Sequence, residues 1–197
     1  MKRNILVISL CILLLLVSGC GLFEEKAEVN KVTICKTGEV KETIVEGFNE
    51  ADYSASELRQ FIEEEIKSSE VKAAVESLEV ANSVAVCKIT FVSVDDYYMF
   101  HKNDQMGIGM TVVDSGKWDS GSVSKEYILS NKKNTKTIST KDIPGMTGKK
   151  VLIYSGIPDL EVEGKLLYAS EGVTLNSNKN AILKDKDNSS IEVILFQ

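Results

Sequence analysis

The chain has little of what metal and nucleophilic chemistry usually needs. It carries one histidine, His101, and four cysteines in 197 residues. With a single imidazole and no C-x-x-C pair, a zinc site of the usual kind lacks ligands, so no metal and no cofactor is assigned. H-E-x-x-H and the G-x-S-x-G elbow are both absent. Long apolar runs are absent too. The longest, Ile5 to Val17, stops short of the roughly 20 residues that a bilayer core demands, which excludes a spanning helix there. Positive charge is the remaining deficit: the whole chain has 23 basic and 29 acidic side chains. An acidic balance argues against nucleic acid and against electrostatic attraction to anionic lipid.

What is present begins at the N-terminus. Lys2 and Arg3 form a positive n-region, Ile5 to Val17 an uncharged h-region, and Leu16-Val17-Ser18-Gly19-Cys20 follows in the pattern of a bacterial lipobox. This pattern places signal cleavage between Gly19 and Cys20 and makes Cys20 the lipidation site, a diacylglyceryl cysteine carrying palmitate-type chains. Two or three acyl chains, at about 0.8 kcal/mol per buried methylene, hold a protein stably on a membrane. Lys2 and Arg3 leave with the signal, so the mature chain has 21 basic against 29 acidic groups, a formal charge of −8.

Residues 1–19 therefore read as a signal peptide and 20–30 as a lipidated tether, reaching about 35 Å when fully extended. Residues 31–140 read as an α+β domain, and 141–197 as a β-rich region that is either separate or continues the first sheet. Lys31 to Glu46 patterns as a hairpin turning at Thr37-Gly38. A two-residue loop would set Cys35 opposite Val40; a three-residue loop with a bulge sets Ile34 there and is preferred, because it gathers Val32, Ile34 and Val40 on one face. Ser54-x-x-Glu57 is a capping box, and Leu58, Phe61, Ile62 and Ile66 fall on one helical face. The neighbouring Glu63, Glu64 and Glu65 point about 100° apart and read as solvated rather than as a cation site. Strands are expected at Ala74 to Val80 and Val84 to Val92, turning at Ala81-Asn82-Ser83. A short helix follows from Val94 to Lys102, with Tyr97, Tyr98, Phe100 and His101 as core packing.

The lipobox, Thr37-Gly38-Glu39-Val40, Thr43-Ile44-Val45-Glu46-Gly47-Phe48, Glu57-Leu58-Arg59 and Asp95-Asp96-Tyr97 together resemble uncharacterised lipoproteins of clostridia-like Gram-positive bacteria. The resemblance covers most of residues 1–101. It implies a location on the outer face of the plasma membrane and brings no catalytic residues.

Beyond that, strands are expected at Ile108 to Val113 and Val123 to Leu129. The loop Asp114 to Ser122 lies between them, with Trp118 as a lid over the core. Ser130 to Lys141, with Lys132, Lys133, Lys136 and Lys141, reads as a solvated surface loop or boundary. The apolar runs Val151 to Tyr154, Lys165 to Ala169, Val173 to Leu175, Ala181 to Leu183 and Ile191 to Phe196 predict antiparallel β structure, separated by turns such as Gly156-Ile157-Pro158-Asp159. The fold class is thus α+β: a hairpin, an amphipathic helix and strands, then a mostly antiparallel β C-terminal region.

Candidate catalytic patterns fit poorly. Ser122-x-x-Lys125 and Ser130-x-x-Lys133 match S-x-x-K, but Lys36-Thr37-Gly38 precedes them and no S-D-N follows. Gly145 to Lys150 has too short a spacing for a P-loop. Asp185 to Ser189 lacks the glycine of a calcium loop and has Phe196 where the glutamate belongs. With no catalytic residue assigned, the expectation is a non-catalytic lipoprotein that binds a protein or cell-wall component of the envelope. The alternatives are a solute-binding lipoprotein of a transporter, which usually needs two α/β lobes, and a small serine-type hydrolase. Cys35 and Cys87 read as two free, buried thiols.

Overall fold

The computed structural model describes residues 29–48, 54–102, 109–119, 121, 123–157, 159–184 and 190–197. The lipobox with Gly19 and Cys20, Ser122, and the loop Asp185 to Ser189 lie outside these residues. Within them the protein is largely β with two α-helices, α+β in the broad sense.

Strands β1 (Lys31–Ile34) and β2 (Val40–Gly47) form the expected hairpin, with Ile34 opposite Val40. Gly38 takes the positive φ that this turn needs. Val32, Ile34 and Val40 are all buried. Helix α1 (Ala55–Ser68) starts on the reciprocal Ser54–Glu57 capping box. Only part of its expected apolar face is used: Ile66 is buried and Ile62 packs on the core, but Phe61 remains 60% exposed. The helix lies against one edge strand, too narrow a surface to cover a residue one position round from Ile62.

Strands β3 (Ala73–Ala81) and β4 (Val84–Phe91) turn at Asn82-Ser83, both left-handed as a tight hairpin requires. Helix α2 (Val94–His101) is capped by Ser93. β5 is Gly109–Asp114.

Two expectations in the middle of the chain need correcting. The strand expected from Val123 is confined to β6 (Ile128–Ser130), because the backbone at Val123 to Lys125 bends to put Val123 under the sheet. The polar stretch Ser130 to Lys141 is not all loop. It holds β7 (Thr137–Ser139) and enters a 3-10 turn, Thr140–Gly145, through a Ser139–Asp142 capping box. The remaining strands are β8 (Lys150–Ser155), β9 (Asp159–Val162), β10 (Leu166–Ala169), β11 (Val173–Leu175), β12 (Asn180–Leu183) and β13 (Glu192–Phe196). β9 begins on Asp159, the last residue of an expected turn, in a stretch where no strand is expected, and it pairs in parallel with β1. All other ladders are antiparallel.

The strands make two sheets, ordered β11-β12-β9-β1-β2-β4-β3 and β5-β8-β13-β10-β6-β7. Both sheets contain strands from either side of residue 140. One core lies between the sheets, with Val32, Val40, Ile89, Phe91 and Leu160 from the first and Leu152, Tyr154, Ile194 and Phe196 from the second. The opposite face of the six-stranded sheet is also covered: Val151, Val193 and Leu195 pack against Trp118, Val123 and Ile143 of the 115–147 segment. Every residue of β13 is therefore buried, which accounts for its unbroken apolar run. Neither helix covers the outer face of the seven-stranded sheet, whose residues alternate with the core set: Lys31, Thr33, Thr43, Lys88 and Thr90.

Candidate binding surfaces

Three kinds of site can be built from these elements. The first is a shallow trough on the outer face of the seven-stranded sheet. Two depressions, about 570 and 480 Å³, share Lys31, Thr43 and Lys88 as lining. Strand pairing puts Lys88 opposite Thr43, and Thr43 opposite Lys31, so these three stand in one row across β4, β2 and β1. Lys31 is paired with Glu161 at 3.3 Å. Val29, where the tether enters the fold, lines the same trough.

A second site, a cleft of about 480 Å³, opens where the edges of the two sheets diverge. At the β4–β5 side the gap between sheets is filled by α2, whose Tyr97 packs edge-on against Phe91 at 5.2 Å. At the other side, between β11 and the β10/β6 edge, no helix among the described residues intervenes and the gap remains as the cleft. Its corner is the crossover Ser170-Glu171-Gly172, which carries the chain from β10 into β11. Ser170 N–H donates to Val193 O at 2.9 Å, Val193 N–H donates to Ser170 Oγ at 3.0 Å, and the Ser170 hydroxyl donates to Glu192. Gly172 lies against that carboxylate: a Cβ there would stand 2.0 Å from Glu192 Oε1.

The cleft mouth is set by the β6–β7 turn. Asn131 Oδ1 accepts Thr135 N–H at 2.9 Å and Lys136 N–H at 3.3 Å, and Asn134 adopts a left-handed φ of 54°. The turn so fixed sends Lys132 across the gap, where Nζ donates to Asn176 O of the other sheet at 2.7 Å. Lys184 similarly donates to Glu171 O.

The third grouping is buried. Glu42 of β2 points inward and its Oε2 meets His101 Nε2 at 2.9 Å, while the Tyr97 hydroxyl donates to Oε1 at 3.4 Å. Both partners of the pair are nearly enclosed. Cys87 lies on the same face of β4, and burial first, then the Glu42 charge, push its thiol up, outweighing Arg59. A nucleophilic cysteine needs the opposite shift, so this Cys–His–Glu neighbourhood holds a thiol rather than an activated thiolate. Cys35 is likewise buried and raised, chiefly by burial and then by Glu163. The two cannot bridge. Cys35 is level with Glu39 and Cys87 with Ile44, five positions along β2, roughly 16 Å at the usual strand rise. A disulfide tolerates about 7 Å between Cα atoms.

Of the serine–lysine pairs, Lys125 lies with its ammonium 4.9 Å from the Tyr127 ring centroid. Ser130 lines the inter-sheet cleft beside Lys132, whereas Lys133 is exposed in the turn. Among the described residues, no group of three or more His, Cys, Asp or Glu side chains could hold a metal ion. Glu63 is paired with Arg59 at 2.8 Å, and Glu64 and Glu65 face solvent. Reasoning from sequence overlooked both Glu42–His101 and the Ser170–Glu192 corner. A glutamate at an inward strand position, Val40-x-Glu42-x-Ile44, was the one available signal for the first. Compared with known proteins, the chain matches no family model, no curated protein and no solved structure.

Proposed function

We propose that the chain is a lipoprotein anchored through Cys20 to the outer face of a plasma membrane, and that its folded domain is a non-catalytic module binding an envelope component. The observation that carries this is the place where the tether joins the fold. Val29 lines the trough floored by Lys31, Thr43 and Lys88. From Cys20 to Val29 is ten residues, so that surface stays within about 35 Å of the bilayer. It is an open sheet face with polar side chains at alternate positions, suited to a partner lying in or on the envelope.

The state of the nucleophiles supports a non-catalytic role. Cys87 and Cys35 are held as thiols by burial. The Ser170 hydroxyl donates to Glu192 within the core. Two experiments test the proposal. Metabolic labelling with a fatty acid should be lost in Cys20→Ser, and label retained by that variant would end the anchor. A photo-crosslinking residue at Thr43 in intact cells should capture a discrete envelope component, and the absence of any adduct would end the binding role of the trough.

A further inference from the structure

We infer that the cleft between the two sheets binds an anionic, polyhydroxylated ligand: a chain bearing carboxylate or phosphate groups among hydroxyls. This deepens, and rests on, the binding-module reading, but it uses a different surface.

Charge is the first feature of this cleft. Its lining has two lysines, Lys132 and Lys184, against one acid, Glu171. One depression of the outer trough balances Lys31 and Lys88 with Asp159 and Glu161; the other sets Lys31, Lys41 and Lys88 against Glu39 and Glu76, the Glu42 carboxylate being turned inward onto His101. On a chain whose acids outnumber its bases, a net positive cleft runs against the overall balance, and Lys133 and Lys136 extend the positive run along the same turn.

Geometry then narrows the ligand. Both ammonium groups are already positioned, Lys132 on Asn176 O and Lys184 on Glu171 O, one from each side of the gap. An ammonium has three donors, so each lysine keeps two for a ligand without giving up the bond that orients it. Holding the side chains in place in advance lowers the entropy lost on binding. Between them, Ser130 and Asn134 offer a hydroxyl and an amide, while Ala169, Val173 and Leu175 form an apolar floor. Compact point charges suit a carboxylate or phosphate, the neutral polar groups suit hydroxyls, and the floor suits the C–H face of a sugar or polyol. The opening, about 480 Å³, admits a ligand of two or three such units.

The test is calorimetric titration of the full-length protein in detergent with four probes: a galacturonate oligomer, a glycerol phosphate oligomer, neutral maltohexaose and inorganic phosphate. The expected result is saturable binding of at least one charged oligomer, weakened by added salt as screened charges require. Comparing the two charged oligomers tells carboxylate from phosphate. Lys132→Gln combined with Lys184→Gln keeps a donor for each carbonyl and removes both charges. It should weaken binding about tenfold, as the loss of two exposed ion pairs implies, with an unchanged circular dichroism spectrum. Ser130→Trp fills the cleft from the β6 side and should abolish binding even if the double variant folds poorly. Maltohexaose binding as tightly as the charged oligomers, binding of inorganic phosphate alone, charged-oligomer binding that survives both variants, or no binding at all would each overturn the inference. If it falls while the Thr43 crosslinker still captures a component, the module reading stands on the outer trough; if both fail, both are wrong.

Discussion

Gly172→Ala should destabilise the protein through one identifiable collision. A β-carbon on Gly172 would lie 2.0 Å from Oε1, 2.5 Å from Cδ and 2.8 Å from Oε2 of Glu192. Ordinary contact needs about 3.4 Å, so the carboxylate must retreat by more than an ångström. Glu192 is only 5% exposed, and its carboxylate accepts the Ser170 hydroxyl that ties the β10–β11 crossover to β13. Retreat breaks that bond inside the core, at about 1–3 kcal/mol for the group left unsatisfied, and overpacking adds a similar amount. The expected total is about 2–5 kcal/mol by urea unfolding.

The sign of the effect should reverse once the carboxylate is gone. Gly172 does not have the positive φ of Gly38, Gly148 and Gly156, so alanine suits its backbone. In a Glu192→Ala background, Gly172→Ala should therefore be neutral or stabilising by about 0.4–1 kcal/mol, through the lower entropy of the unfolded chain. Equal losses in both backgrounds would refute the collision and place the cost in the backbone.

Glu42→Ala should cost roughly 3 kcal/mol or more, because it leaves the buried His101 imidazole without its carboxylate, whereas Glu42→Leu with His101→Phe should recover most of that loss; additive single effects in urea unfolding would show that the pair is not coupled. Burial pushes the Asp96 carboxyl up, but hydrogen bonds from the Lys72 N–H and the Ser93 hydroxyl, with the Lys72 charge, outweigh it and hold Asp96 below the usual carboxylate range. A lowered folded value contributes stability that is present above the ordinary carboxylate range and lost as the pH falls through the folded value, so Asp96→Asn should flatten the acid limb of a urea-midpoint profile. Because both thiols are buried and raised, iodoacetamide should modify Cys35 and Cys87 only after unfolding, and mass spectrometry showing rapid native alkylation of either would contradict the packing.

How far these features could be read in advance depends on how local their causes are. The α1 start needs only Ser54 and Glu57, three residues apart, and the β3–β4 hairpin only a turn between two alternating runs, so both are legible. β9 is different. Asp159–Val162 is short and polar at alternate positions, and it becomes a strand because β1 and β12 offer edges on both sides. Nothing local to it carries that information. β7 differs again: it pairs only with β6, through a hairpin closed at Asn131, but at three residues in a polar, basic stretch it offers too short an alternation to read. Phe61 shows the converse: helical period placed it with the core residues, but the extent of the surface under α1 decides which of them are covered.

The candidate ligand cleft was illegible for a related reason. Its two lysines are 52 positions apart and belong to different hairpins, so neither spacing nor composition associates them. In sequence Lys132 belongs to a basic polar run, and such a run is ordinarily solvated. What changes its meaning is the crossover at Ser170 to Gly172, which turns β11 away from β10 and leaves the two sheet edges apart with Lys132 spanning the gap. That corner exists because Gly172 has no β-carbon and Glu192 fills the space one would occupy. Glycine in Glu171-Gly172-Val173 reads as a turn residue, and the carboxylate that requires it lies 20 positions further on. On the inference that the cleft binds an anion, displacing the corner should weaken that binding even with both lysines intact, so Gly172→Ala joins the stability experiment to the binding one.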